Sequence, residues 1–257
     1  MPIIKTELYR FPKDGCIAPI EYCYGACERE GLVVASGYIV ARLRAEHREK
    51  GSTAWTQLSG LSGTTIGIGK IDQVPTVVVA HTDHPFMTSN DIYSSKRSPS
   101  RLIDGAIHLT QSEAKSLIKG WRKKYSGQKR IGHVWIVQDQ RLTDPAFLDS
   151  RFFDATVDAT KRSLLVPFIG DPNLKPFYLQ EYINNMGTQI GLKFDRSSFA
   201  IDGLSFRPLC FSNCPDIPNF YCGSYASEVH LFGVSPKIIS AAQGSSLEQK
   251  LVFEDIL

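Results

Sequence analysis

The run Pro75-Thr76-Val77-Val78-Val79-Ala80-His81 constrains the fold of this chain most. Four β-branched residues in succession are stiff at χ1 and favour extended backbone. Prolines at 75 and 85 punctuate the two ends, so the pattern predicts a buried strand from Thr76 to His81. It ends abruptly in His81-Thr82-Asp83-His84, two imidazoles and a carboxylate at the junction of strand and loop. In mixed folds such junctions often carry chemistry. Residues two apart share a face of an extended strand. His81 and Asp83 therefore point one way, and His84 the other unless the chain bends at Pro85.

The rest of the chain alternates hairpin-like and helical patterns. Strands are expected at Thr64 to Gly69, Ile131 to Gln138, Leu164 to Ile169, Phe199 to Phe206 and Ser227 to Phe232. The short link Lys70 to Val74 suits a hairpin between the first of these and the Thr76 strand. Thr110-Gln111-Ser112-Glu113 has the spacing of a capping box, and Ala114, Leu117, Ile118, Trp121 and Tyr125 follow it at helical period, which predicts a helix. Further helices are expected from Asp171-Pro172 and from Ser235-Pro236. The segment from Gly31 to Arg48 fits either period. Ser94 to Ser100, rich in serine and ending near Pro99, reads as a mobile loop or lid. These elements describe an α+β fold: a single domain over residues 1–257, with a mixed or antiparallel β-sheet core flanked by helices.

Composition excludes more than it selects. With 29 Lys and Arg against 26 Asp and Glu, the formal charge of +3 implies no strong attraction to nucleic acid or to a membrane surface. Neither a secretory leader nor an apolar stretch long enough to span a bilayer is evident. The expected location is cytoplasmic, or outside the cell by a route without a classical signal peptide. Six cysteines fall in two groups, Cys16, Cys23, Cys27 and Cys210, Cys214, Cys222, without zinc-knuckle spacing.

Three constellations are candidates for chemistry. His81, Asp83, His84 and Asp104 offer nitrogen and oxygen ligands for zinc or another divalent ion, with His81 and Asp83 at the reacting centre. The order His81-x-Asp83, Asp104 before a helix and Asp139 after a strand resembles the zinc aminopeptidase and deacylase families, although Asp139-Gln140 stands where that pattern has two glutamates. Second, Cys27 in Tyr24-Gly25-Ala26-Cys27 and His133 in Gly132-His133-Val134 resemble the nucleophile and base of cell-wall amidases and peptidases with a papain-like core. A helix start at Cys27 would lower its thiol pKa. Cys222 is an alternative thiol. Third, Leu61-Ser62-Gly63-Thr64, followed by His81, resembles the Leu-Ser-Gly-Cys and His arrangement of toxin-type glutamine deamidases, with Thr64 in the place of the cysteine.

The function expected from these residues is a hydrolase acting on an amide-like bond of a peptide or small-molecule substrate, metal-assisted or by general base. The alternatives are a cysteine-nucleophile amidase or deamidase-like protein, and a non-catalytic effector or partner-binding protein.

Overall fold

A computed structural model describes residues 8–13, 16–49, 60–81, 86, 88–98, 100–125, 134–143, 153–154, 165–174, 189–190, 192–193, 196–211 and 220–237. Its centre is a hairpin of two strands, β4 (Gly60–Ile71) and β5 (Val74–Ala80), paired antiparallel from Thr65↔Ala80 to Ile71↔Val74. Asp72 and Gln73 form the turn, with φ of 52° and 64°. Two successive left-handed residues make the turn type whose twist matches the flanking strands, so the expected hairpin is present with a two-residue loop.

Numbered along the chain, the strands before the hairpin are β1 (Leu8–Phe11), β2 (Ala18–Pro19) and β3 (Val33–Val34). After it come β6 (Leu102–Ile103), β7 (Ala106–Leu109), β8 (Val134–Gln138), β9 (Phe153–Asp154), β10 (Gln189–Ile190), β11 (Leu192–Lys193), β12 (Gly203–Phe211), β13 (Phe220–Cys222), β14 (Glu228–Val229) and β15 (Leu231–Val234). An eleven-stranded mixed sheet runs β1-β15-β4-β12-β13-β11, with β5 and then β8 continuing from β4. The chain's first and last described strands lie side by side, Leu8↔Val234 to Phe11↔Leu231. β12 pairs with β4 along its length, and its register slips between Pro208 and Cys210, where proline has no N–H to give the ladder.

The helices are α1 (Ile20–Arg29), α2 (Gly37–Glu49), α3 (Ser89–Lys96), α4 (Gln111–Tyr125) and α5 (Leu165–Ile169). They cover both faces of the sheet. On one face Val77 and Val79 of β5 pack with Val40 and Leu43 of α2, Phe168 and Ile169 of α5 and Phe211 of β12. On the other, Val78 and Ala80 pack with Cys23 and Cys27 of α1, Ile92 of α3 and Ile118 and Trp121 of α4. A strand covered on both sides needs no polar face, which is the physical reason for the unbroken run Val77-Val78-Val79. Gly67 of β4 leaves room for the Phe206 ring; a Cβ there would stand 2.8 Å from it.

The α+β class and the sheet core flanked by helices are as expected. Helix α4 buries Ala114, Ile118 and Trp121, with Glu113 accepting from the Thr110 backbone N–H at 2.9 Å and from its hydroxyl at 2.8 Å. Several expectations are corrected. Of the strand expected over Leu164 to Ile169, the described residues Leu165–Ile169 form the short helix α5 instead, since periodicity cannot separate two states in so brief an apolar run and Pro167 could give no ladder hydrogen bond. Phe199 belongs to a 3-10 turn, Arg196–Ala200, and β12 begins only at Gly203. Ser94, Ser95 and Lys96, expected in a mobile loop, close helix α3, which is capped by Thr88 accepting from the Asp91 N–H and tied to α1 by Lys96 on Glu21. The turn after Asp171 is a 3-10 helix over Pro172–Leu174; the rest of that expected helix, and of the one from Ser235-Pro236 beyond Lys237, lies outside the described residues. No helix among the described residues is long and apolar enough to cross a membrane.

Candidate functional site

His81 follows β5 directly, and the hairpin register carries it to Thr64 on β4. Thr64 Oγ1 lies 2.7 Å from His81 Nδ1, and His81 Nε2 lies 2.7 Å from the Pro167 carbonyl oxygen in α5. A carbonyl only accepts, so Nε2 carries the proton, and the neutral ring's Nδ1 takes the hydrogen of the Thr64 hydroxyl. The Thr64 oxygen in turn accepts from the Gly37 N–H at the start of α2, at 2.8 Å. The relay runs from Gly37 through Thr64 and His81 to Pro167. It joins α2, β4, the end of β5 and α5.

This is the residue pair that the deamidase-like pattern singles out, brought into hydrogen-bond contact but closed to substrate. Thr64 is fully buried and His81 is 3% exposed. Gly170, with φ of 70°, packs over the ring so closely that a Cβ would come within 3.0 Å of His81 Nε2 and 2.9 Å of Tyr38 Cβ. A general base needs a nitrogen within reach of the proton it abstracts, whereas here both ring nitrogens face the protein's own atoms. Beside the clasp, Tyr38 OH accepts from Arg42 at 3.4 Å, and Arg42 Nε donates to Glu46 at 3.0 Å along α2. Burial raises the Tyr38 phenol pKa above its ordinary value, against the lowering effect of Arg42.

The other expected residues that the structure describes do not assemble with His81. Cys27 sits in the last turn of α1, not at a helix start, so the dipole there disfavours a thiolate. It is buried, and desolvation, with Glu28 and Glu30 nearby, pushes its thiol up to about 12. Cys222 of β13 packs against the α2 side of the core and burial pushes it to about 12 as well, with Arg207 opposing. Asp104 is an exposed turn residue: with φ of 50° and followed by Gly105 at 72°, it makes the two-residue link between β6 and β7. That left-handed position suits aspartate for a local backbone reason. Asp139 is buried, its carbonyl accepting from Leu142 N–H where β8 gives way to a 3-10 turn. Asp83, His84 and His133 lie outside the described residues. Among the described residues no group of three or more His, Cys, Asp or Glu is placed to hold a metal ion.

What sequence reasoning missed is on the surface. Tyr22 of α1 and Tyr93 of α3 are 53% and 44% exposed, and an arginine lies over each ring: Arg29 at 5.7 Å from the Tyr22 centroid and Arg97 at 4.4 Å from that of Tyr93. The signal was available for Tyr22, which falls off the stripe Ile20, Cys23, Tyr24 and Cys27 that α1 buries.

No protein-family model and no curated protein matches this chain. A solved structure described as the accommodation of massive sequence variation in Nanoarchaeota by the C-type lectin fold superposes with a TM-score of 0.63 at 16% sequence identity, over 91% of this chain and 99% of the other. That fold, together with a sequestered His81 and with Cys27 and Cys222 whose thiol pKas burial raises, overturns the expectation of a hydrolase, amidase or peptidase, and the expected metal binding is corrected by the dispersal of the described ligand residues. This chain, with its mixed sheet of β4, β5, β12 and β15 packed by helices on both faces, shares the C-type lectin fold of that protein.

Proposed function

We propose that this chain is a non-catalytic binding protein, a buried scaffold that displays a recognition surface to a peptide or other partner. The observation that carries the reading is the fold match at 16% identity to a protein described as accommodating massive sequence variation. A fold that persists while most residues change holds itself together from within and leaves its exterior open to other demands. The interior of this chain accords with that description at one place of catalytic type, where Thr64 and His81 are spent on internal hydrogen bonds.

The test is a turnover measurement. The purified chain, incubated with casein, with glutamine-containing peptides and with a series of acyl amides, should release no ammonia or amine above buffer. Chelator and iodoacetamide should change nothing. Turnover that Thr64→Val or His81→Gln abolishes, in a protein that still folds, would overturn the reading.

A further inference from the structure

Helices α1 and α3 lie antiparallel on the sheet's second face, and polar bonds fix them to each other. Lys96 near the end of α3 pairs with Glu21 at the start of α1, and Glu28 near the end of α1 accepts from the N–H and hydroxyl of Ser89 at the start of α3. Positions 21, 25 and 28 share one helix face, and Gly25 on it lets the Arg29 guanidinium and Ser89 close in between the helices: a Cβ there would stand 3.3 Å from the guanidinium and 3.7 Å from Ser89. Tyr22 and Arg29, seven residues apart, stand on the solvent side of that face. Tyr93 and Arg97 stand across the groove on α3.

The described carboxylates of the two helices and their flanks each have a donor. Glu21 holds Lys96, Glu28 holds Ser89, Glu30 pairs with Lys13, and Asp91 accepts from Thr88. Among the described residues Arg29 and Arg97 have no carboxylate partner; each is held over a tyrosine ring instead. A guanidinium over a ring and without a carboxylate keeps forked donors that suit a planar acceptor. Exposed tyrosine beside arginine is also the pairing that dominates binding energy at protein interfaces. Because Lys13, Arg29, Lys96 and Arg97 are matched in number by Glu21, Glu28, Glu30 and Asp91, long-range attraction is weak and recognition rests on geometry.

We propose that the α1–α3 face is a docking surface for a partner-protein segment carrying two carboxylates, which Arg29 and Arg97 grip bidentately while apolar side chains of the segment rest on Tyr22 and Tyr93. The proposal rests on the binding reading above and names its partner class. Random dodecapeptides displayed on phage, selected on the full chain at physiological salt, are the probe; the enriched peptides are then synthesised and their affinity measured by fluorescence anisotropy. The expected result is enrichment of Asp and Glu with aromatic or aliphatic neighbours. Affinity should fall tenfold or more in the double variant Arg29→Lys with Arg97→Lys, which keeps the charge but not the fork, and in Tyr22→Ala with Tyr93→Ala. Lys119→Ala with Lys123→Ala on α4 should leave it unchanged, and circular dichroism should show all variants folded. Peptides without carboxylates, no enrichment at all, or affinity that neither double variant moves would overturn this surface. Cleavage or deamidation of a selected peptide by the wild-type chain would instead refute the non-catalytic reading.

Discussion

The hydroxyl oxygen of Thr64 stands 2.7 Å from Nδ1 of His81, with both residues buried, and this contact closes a relay from the first turn of α2 to the carbonyl of Pro167 in α5. Thr64→Val keeps the shape but leaves the Gly37 N–H and His81 Nδ1 buried without their partner. At about 1–3 kcal/mol for each of the two unsatisfied groups, urea denaturation should show a loss of about 2–6 kcal/mol. Thr64→Ser, which keeps the hydroxyl, should lose only about 1 kcal/mol for a buried methyl group. Equal stability of the valine variant and wild type would show that the relay holds nothing together.

The β4–β5 turn is strained in a way that glycine relieves. Gln73 sits at φ of 64°, where an L-residue costs about 1–2 kcal/mol and glycine does not. Its side chain makes one long, exposed hydrogen bond to Asp202 at 3.4 Å, which contributes little. Gln73→Gly should therefore raise stability by about 1 kcal/mol, read as a higher denaturation midpoint; a lower midpoint would mean that the side chain matters more than the backbone.

Alkylation should sort the thiols by burial. Cys16 is exposed, whereas Cys23, Cys27 and Cys210 are buried, and burial pushes Cys23 to about 11 and Cys27 to about 12. Iodoacetamide at pH 8 should label Cys16 in the native protein within minutes and leave the other three untouched until denaturant is added. Peptide mass mapping reads the outcome, and rapid native labelling of Cys27 would contradict its place in the core.

Acid should weaken the start of α4. The hydrogen bond from the Thr110 hydroxyl, then its backbone N–H and Arg101, hold the Glu113 carboxyl below its ordinary pKa. A depressed folded-state pKa means that the stabilisation is present above the unfolded-state value and lost as pH falls through the folded one. Glu113→Gln should lower the melting temperature at pH 7 and converge with wild type near pH 2. A constant difference across that range would show that the carboxylate's charge is not what caps the helix.

How much the chain declares in advance depends on the range of the interaction. Val77 to Val79, the Thr110–Glu113 cap and the apolar stripe behind it act over a few residues, so the central strand and helix α4 were legible before any fold was known. The α+β class followed from the same local patterns. The helix Leu165–Ile169 was not legible, because five apolar residues have no period; in the fold the Pro167 carbonyl takes the His81 N–H and Phe168 and Ile169 join the core on the α2 side. Asp104 and Cys27 carry metal-ligand and nucleophile side chains in any list of residues; backbone φ makes the first a turn residue, and the last turn of α1 makes the second an inert core thiol. Thr64 and His81 were a recognisable pair, but their role turns on burial, which is a property of both layers of helices meeting the sheet. Tyr22 and Tyr93, 71 residues apart by their numbering, stand on two helices that only the pairing of Glu21 with Lys96 and of Glu28 with Ser89 brings together.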